Sequence, residues 1–191
     1  MKVLVFAGST RADSLNKKLA RAAVEALRGA GFETTLADLS DYPMPLYDGD
    51  VESTGGLPAT AKAFKELVRG HDALAIASPE YNGSFSAVLK NTIDWISRPE
   101  PGEPHLAALR GKRAMLLSTS PGPGGGKRGM RHVRELLEMI GVSVTAAQVS
   151  VPKSGESFSP AGELLRPEDR ESLWLAAEEL AKAVREKAIA A

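Results

Sequence analysis

The chain has 191 residues, of which 43% are hydrophobic and 25% charged, which is enough for one well-buried core but short for two. Its 24 basic and 24 acidic residues cancel, so no net field favours nucleic acid, an anionic membrane or a charged protein partner. Cysteine is absent, which excludes disulfides, cysteine-ligated metal centres and a thiol nucleophile. We therefore expect a single domain over residues 1–191, and any redox chemistry in it requires a cofactor.

Apolar runs and helical periodicity alternate along the whole chain. Short β-branched apolar runs predict buried parallel strands, whereas apolar residues three and four positions apart predict helices. The predicted strands are residues 3–7, 33–39, 72–78, 112–118 and 142–149. The predicted helices are residues 16–28, 59–69, 85–97, 130–140 and 167–188, and residues 41–58 are predicted as a surface loop. This alternation implies a parallel sheet that is covered by helices on both faces.

Three loops are the expected ligand site. In open α/β sheets, ligands bind beyond the carboxyl ends of the strands, near the point where the strand order reverses. The loops after the first, third and fourth predicted strands are residues 8–14, 79–84 and 119–129, and they hold the densest clusters of Ser, Gly, Asn and Pro. We expect these three loops to meet around a small molecule.

The first loop joins a buried strand to a helix start, where free N–H groups and the positive end of the helix dipole suit a phosphate. It lacks the Gly-Lys-Ser/Thr of a Walker loop and the Gly-x-Gly-x-x-Gly of a dinucleotide turn, which favours a mononucleotide. The alternative is that Asp13 or Ser14 only caps the helix. The candidate phosphate ligands are Ser9, Arg11, Ser14, Leu15 and Asn16.

The second loop places an aromatic ring and an amide beside another helix start. A planar heterocycle needs such a wall, with a face to stack on and donors along its edge. The alternative is a plain turn between strand and helix, with Ser84 as the helix cap. The candidate ring-binding residues are Pro79, Glu80, Tyr81, Asn82, Gly83 and Ser84.

Three segments together resemble the NADPH-dependent FMN reductase family, which includes small quinone, chromate and azo-dye reductases. The segments read GSTRADSLN, SPEYNGSFSAVLKNTIDWISRP and STSPGPGGG, and the resemblance runs over nearly the whole chain. It implies an α/β flavodoxin-like three-layer sandwich with a five-stranded parallel sheet in the order 2-1-3-4-5. It also implies a non-covalent FMN, reduced by NADPH or NADH, that passes hydride to quinones, flavin, azo compounds or chromate.

The resemblance also assigns the loops. The first loop holds the FMN phosphate, the second lies along the ribityl chain and the isoalloxazine, and the third approaches the pyrimidine side of the ring. In the third loop the matching residues are Ser118, Ser120 and Gly122. A homodimer or homotetramer is implied, with helix 85–97 in the interface. On this helix Trp95 is assigned equally to core packing and to the interface.

No metal site and no catalytic acid or base are predicted. His71, His105 and His132 lack the spacing of a metal site, and hydride transfer to a flavin needs no side-chain base. The start of the chain lacks the features of a signal peptide, and no apolar stretch approaches the roughly 20 residues that span a bilayer. We therefore predict a cytoplasmic protein without nucleic-acid or membrane partners.

Two other functions use the same loops. A flavodoxin-type electron carrier is disfavoured by the zero net charge, because such carriers rely on a strongly acidic surface to meet their partners. A module that senses flavin or quinone without turnover is distinguished only by activity with NAD(P)H. The choice between NADH and NADPH stays open: Lys127 and Arg128 suit a 2′-phosphate, but a basic pair on a glycine-rich loop is more often solvated.

Overall fold

A five-stranded parallel sheet with helices on both faces forms the centre of the protein in a computed structural model, which describes residues 1–190. The sheet consists of β1 (Lys2–Ala7), β2 (Glu33–Ala37), β3 (Ala73–Ala77), β6 (Arg113–Thr119) and β7 (Ser143–Val151), and a separate hairpin consists of β4 (Glu80–Tyr81) and β5 (Ser84–Phe85). The helices are α1 (Leu15–Gly29), α2 (Gly49–Gly55), α3 (Ala59–Arg69), α4 (Ala87–Ile96), α5 (Lys127–Met139) and α6 (Pro167–Ala190). Residue 191, the last of the predicted domain, lies outside the described residues.

The strand order is β2-β1-β3-β6-β7, with every neighbouring pair parallel. Because β4 and β5 form a separate hairpin, β6 and β7 are the fourth and fifth strands of the sheet in chain order. The predicted order 2-1-3-4-5 is therefore confirmed. The flavodoxin-like fold is therefore confirmed.

The sheet buries a separate apolar cluster on each face. Val3 and Val5 face α1 and α6, whereas Leu4 and Phe6 face α3, α4 and α5. Consecutive side chains of a strand point to opposite faces, so a strand covered on both sides has to be apolar at every position. The unbroken apolar runs of the sequence follow from this double burial.

The structure adds elements that the sequence pattern did not predict. Within the predicted loop 41–58, Asp48 begins α2 by accepting a hydrogen bond from the N–H of Asp50 (2.8 Å). Within the second loop, Asn82 (φ 52°) and Gly83 (φ 78°) are both left-handed, which is the requirement of a type I′ turn between two short strands. Helix α5 begins three residues earlier than predicted, directly after the left-handed Gly126.

Trp95 is a core residue. It is fully buried, its ring packs edge-on against Tyr47 with the ring centroids 5.0 Å apart, and its Nε1 donates to the carbonyl of Pro45 (2.8 Å). Asn91 holds the same segment, donating to Pro45 O and accepting from Tyr47 N, each at 2.8 Å. Residues 42–48 thus lie over α4, and of the two roles predicted for Trp95 the structure shows packing.

The helices among residues 1–190 include none that combines the length and the apolarity needed to cross a membrane.

A buried lysine organises the ion pairs beside α3. Lys65 is 1% exposed, and its Nζ donates to the carbonyl of Arg98 (2.8 Å) and to the carboxylate of Glu103. Arg69 pairs with the other oxygen of Glu103, and the N–H of Glu100 donates to this carboxylate as well. The hydrogen bonds from Lys65, then from Arg69 and from the backbone of Glu100, lower the pKa of Glu103 from 4.5 to about 2.

We predict that Glu103→Gln lowers the free energy of unfolding at pH 7 and removes part of its pH dependence. A carboxylate with a depressed pKa in the folded state stabilises the fold fully above its ordinary pKa of 4.5, and this contribution disappears as the pH falls towards 2. Urea unfolding between pH 7 and pH 3 should show the difference between wild type and variant shrinking with acid. Glu135→Gln, at an exposed position, is the control, and a constant difference across this pH range contradicts the prediction.

Candidate active site

The three predicted loops meet at the carboxyl edge of the sheet around a cleft of about 170 Å³. They meet because β1, β3 and β6 are adjacent and parallel, so their ends lie side by side. The cleft is lined by Arg11, Ser14, Leu15, Asn16, Pro79, Glu80, Tyr81, Thr119, Ser120 and Pro121. The structure therefore brings residues of all three loops into one site.

The first loop presents backbone donors at the start of α1. The Ser14 hydroxyl caps the helix by accepting from the N–H of Lys17 (3.4 Å), and the Ser9 hydroxyl accepts from the N–H of Arg11 (3.3 Å). The N–H groups of residues 12–16 form no hydrogen bond with any other residue in the range 1–190. Free N–H groups at the positive end of a 15-residue helix suit a phosphate, and Arg11 supplies a cationic side chain to the same cleft.

Asn16 fixes the first loop to the third. Its Nδ2 donates to the carbonyl of Thr119 (3.0 Å), and its Oδ1 accepts from the N–H of the same residue (3.1 Å). The amide is buried, so both bonds are sheltered from water. One N–H of Nδ2 is left over for a ligand. Asn16 thus holds the end of β6 against the start of α1.

The second loop exposes its aromatic ring at the edge of the cleft. The type I′ turn at Asn82 and Gly83 reverses the chain directly after Tyr81. Tyr81 lines the cleft and is 52% exposed. Glu80 also lines the cleft, but its Oε2 accepts from the N–H of Gly129 on α5 (2.9 Å). The negative charge of Glu80 is therefore directed to the positive end of a helix.

Some predicted site residues lie outside the lining of the cleft: Ser9, Asn82, Gly83, Ser84, Ser118 and Gly122. Ser118 is fully buried and donates to the carbonyl of Ser78 (2.7 Å), which ties β6 to the end of β3. The carbonyl of Gly122 accepts from the N–H of Lys153 (3.2 Å), which ties the third loop to the chain after β7. Ser118 and Gly122 thus hold the loops in position through hydrogen bonds outside the cleft.

Thr119 and Pro121 line the cleft although neither was a predicted site residue. They flank Ser120, which was predicted. The available signal for Thr119 was its position as the first residue of the predicted loop 119–129. The proline gave no signal of its own, since it is one of two in a Gly-Pro run.

A larger cavity, of about 440 Å³, lies between α1, residues 161–164 and α6. Arg21, Glu25 and Trp174 are among the residues that line it, and it contains none of the predicted site residues. Size alone therefore does not identify the active site in this fold. The convergence of helix-start N–H groups, a cationic side chain and an exposed aromatic ring makes the smaller cleft the candidate active site.

Comparison with known proteins identifies the family of this chain. The sequence model of the NADPH-dependent FMN reductase family matches residues 1–156. The NAD(P)H-dependent FMN reductase of Pseudomonas aeruginosa is 38% identical over 172 residues, covering 90% of this chain and 88% of that protein. The 2-hydroxy-1,4-benzoquinone reductase of a Burkholderia species is 32% identical over 190 residues, covering 99% of both chains.

Solved structures agree with this class. The flavoenzyme NAD(P)H:acceptor oxidoreductase FerB of Paracoccus denitrificans superposes with a TM-score of 0.82 at 25% identity, over 97% of this chain and 98% of that one. An archaeal flavodoxin superposes with a TM-score of 0.65 at 13% identity, over 97% of this chain and 99% of that one, and shows the shared fold. The chain belongs to the NADPH-dependent FMN reductase family. It is an oxidoreductase, and its membership supports the predicted FMN and NAD(P)H.

We predict that Asn16→Ala lowers the free energy of unfolding by about 2 kcal/mol, because it leaves the buried N–H and carbonyl of Thr119 without partners. Urea unfolding of the protein without flavin measures this effect. Asn16→Asp is the matched variant, since it keeps an acceptor for the Thr119 N–H but loses the donor, and we expect an intermediate value. Equal stability of wild type and Asn16→Ala would show that the clamp is unimportant.

Proposed function

We propose that the cleft at the carboxyl edge of the sheet binds FMN non-covalently and that the enzyme uses it to reduce small acceptors with NADH or NADPH. The observation that carries this proposal is the set of unpartnered N–H groups at residues 12–16, next to Arg11 and across from the exposed Tyr81. FMN, when bound, supplies the hydride chemistry, and the protein supplies position and electrostatics.

The phosphate end of the site is assigned to the first loop. The N–H groups of residues 12–16 and the guanidinium of Arg11 are donors of the kind that a phosphate requires. Ser9 still has its hydroxyl proton to donate, because in its contact with Arg11 it acts as acceptor. Ser14 and Asn16 are partly engaged by Lys17 and Thr119, so we assign them a smaller share of the phosphate binding.

The ring end of the site is assigned to the hairpin and the third loop. The cleft, at about 170 Å³, is smaller than the roughly 300 to 1,000 Å³ typical of sites that enclose a ligand. It has room for only part of an FMN molecule, so we propose that the isoalloxazine rests against Tyr81 and the hairpin, with Ser120 and Pro121 at its edge. A ring held in this way keeps one face accessible to nicotinamide and acceptor in turn.

Quinones are the acceptors that we favour. A quinone reductase of Escherichia coli is 36% identical to this chain over 144 residues, covering 75% of this chain and 73% of that protein, and the Burkholderia relative is named for a benzoquinone. Flavin, azo compounds and chromate stay in the proposed range, since an open flavin face does not discriminate strongly by shape. Lys127 and Arg128, the candidate ligands of a 2′-phosphate, are both exposed at the start of α5. The choice between NADH and NADPH as donor therefore stays open.

We also propose an oligomer, a homodimer or a homotetramer. Trp95 does not support it, because residues 42–48 cover that ring within the protomer. Support comes from Leu46, which is 80% exposed on the segment that α4 holds in place, and from the half-exposed Tyr81. The cytoplasmic location and the single FMN-binding domain over residues 1–191 remain predictions from the sequence.

We predict that FMN binds more tightly than riboflavin and that Arg11→Ala reduces this preference. Loss of a charged hydrogen bond to the phosphate costs about 1.5 to 3 kcal/mol, or roughly 10-fold to 150-fold in affinity for FMN. Calorimetry with both flavins measures the effect, and the affinity for riboflavin should not change. Arg21→Ala, on α1 but outside the cleft, is the control. Equal affinity of the wild type for FMN and riboflavin would exclude the proposed phosphate site.

We predict ping-pong kinetics with NAD(P)H and a quinone. The cleft offers little room for two substrates at once, so the oxidised nicotinamide has to leave before the acceptor enters. Anaerobic addition of NADH or NADPH should bleach the flavin without any acceptor, and double-reciprocal plots at several quinone concentrations should be parallel. Loss of flavin absorbance only when both substrates are present contradicts this mechanism, and absence of turnover with either nucleotide favours a sensing module.

A further inference from the structure

The β4–β5 hairpin, which carries Tyr81, stands apart from the central sheet and packs on α5. Two side-chain hydrogen bonds join it to this helix, one from each strand. Glu80 of β4 accepts from the N–H of Gly129 (2.9 Å), and the hydroxyl of Ser84 of β5 lies 3.1 Å from Nδ1 of His132. Gly129 and His132 are three residues apart, so both lie on the side of α5 that the hairpin covers.

The hairpin also approaches the backbone of α5 closely. A Cβ atom at Gly129 would lie 3.2 Å from the carbonyl oxygen of Ser84 and 3.3 Å from the side chain of Glu80. Because each strand of the hairpin has only two residues, its own pairing provides little stability. Its position therefore depends on what it packs against, and the directional contacts available are those of Glu80 and His132.

We propose that His132 is a positioning residue that, together with Glu80, seats the hairpin and so holds Tyr81 at the edge of the flavin cleft. In this assignment Glu80 accepts from a backbone N–H of α5, and His132 acts through its hydrogen bond with the hydroxyl of Ser84. The inference rests on the proposed flavin site for its consequence, but the seating of the hairpin is a property of the chain itself.

The proposal specifies one atom of the ring. Nδ1 of His132 faces the Ser84 hydroxyl, and this hydroxyl is able to donate or to accept, so either neutral tautomer satisfies the contact. An asparagine side chain places a polar atom close to the position of Nδ1, whereas glutamine reaches the position of Nε2. Asparagine should therefore replace the histidine, and glutamine should not.

The experiment compares His132→Ala, His132→Asn and His132→Gln, with His105→Ala at an exposed position as the control. Hydrogen–deuterium exchange on protein stripped of FMN reports the hairpin directly, and FMN titration reports the cleft. In His132→Ala we expect faster exchange at residues 80–85 with β3 unchanged, and FMN affinity about threefold to tenfold weaker, as for the loss of one neutral hydrogen bond. His132→Asn should restore both the exchange rate and the FMN affinity. His132→Gln should restore neither, and His105→Ala should change neither.

Wild-type exchange and affinity in His132→Ala, or equal behaviour of the Asn and Gln variants, would overturn the proposal. If His132→Ala does not fold, Ser84→Ala removes the same hydrogen bond from the other side and should speed exchange in the same segment. A wild-type protein that binds no FMN refutes the proposed function, while the exchange measurements still decide the role of His132.

Discussion

β1, β3 and β6 lie side by side and run in the same direction, and the features of the active site depend on this arrangement. It places the ends of three strands, and therefore three loops, along one edge of the sheet. The first crossover runs from β1 to the outer strand β2, and the chain then returns past β1 to β3, so the strand order reverses beside β1. The reversal leaves room at the end of β1 for the start of α1, where the N–H groups of residues 12–16 have no hydrogen-bond partner within residues 1–190.

Buried polar side chains convert the proximity of the loops into a fixed geometry. The Ser86 hydroxyl caps α4 and donates to the carbonyl of Gly8 (2.6 Å), which joins the second loop to the first. Asn16 joins the start of α1 to the third loop, and Ser118 joins the end of β6 to the end of β3. Each bond is buried, so breaking it leaves an unsatisfied group and costs more than a surface contact would.

The strands, most helices and the three loops were predictable because burial on both faces writes an unbroken apolar run into each strand. The division of labour within the loops was not, because it depends on partners that are distant in sequence. Asn16 was predicted only as a ligand-binding amide, whereas the structure also bonds its Oδ1 and one N–H of its Nδ2 to Thr119, 103 residues away. The Asn82-Gly83 turn was visible as a dipeptide, but strands of two residues carry too little pattern to predict a hairpin.

The proposed FMN site divides its tasks between two ends. Free N–H groups and Arg11 gather where a phosphate would lie, whereas the ring end offers an exposed Tyr81 and a shallow cleft. Affinity that comes mainly from the phosphate does not require the ring to be enclosed, because an anion held by several donors at a helix start is bound strongly by itself. The reactive face of the flavin is then open to planar substrates of otherwise different structure. A neutral surface fits this arrangement, since small substrates need no long-range field to find an open ring.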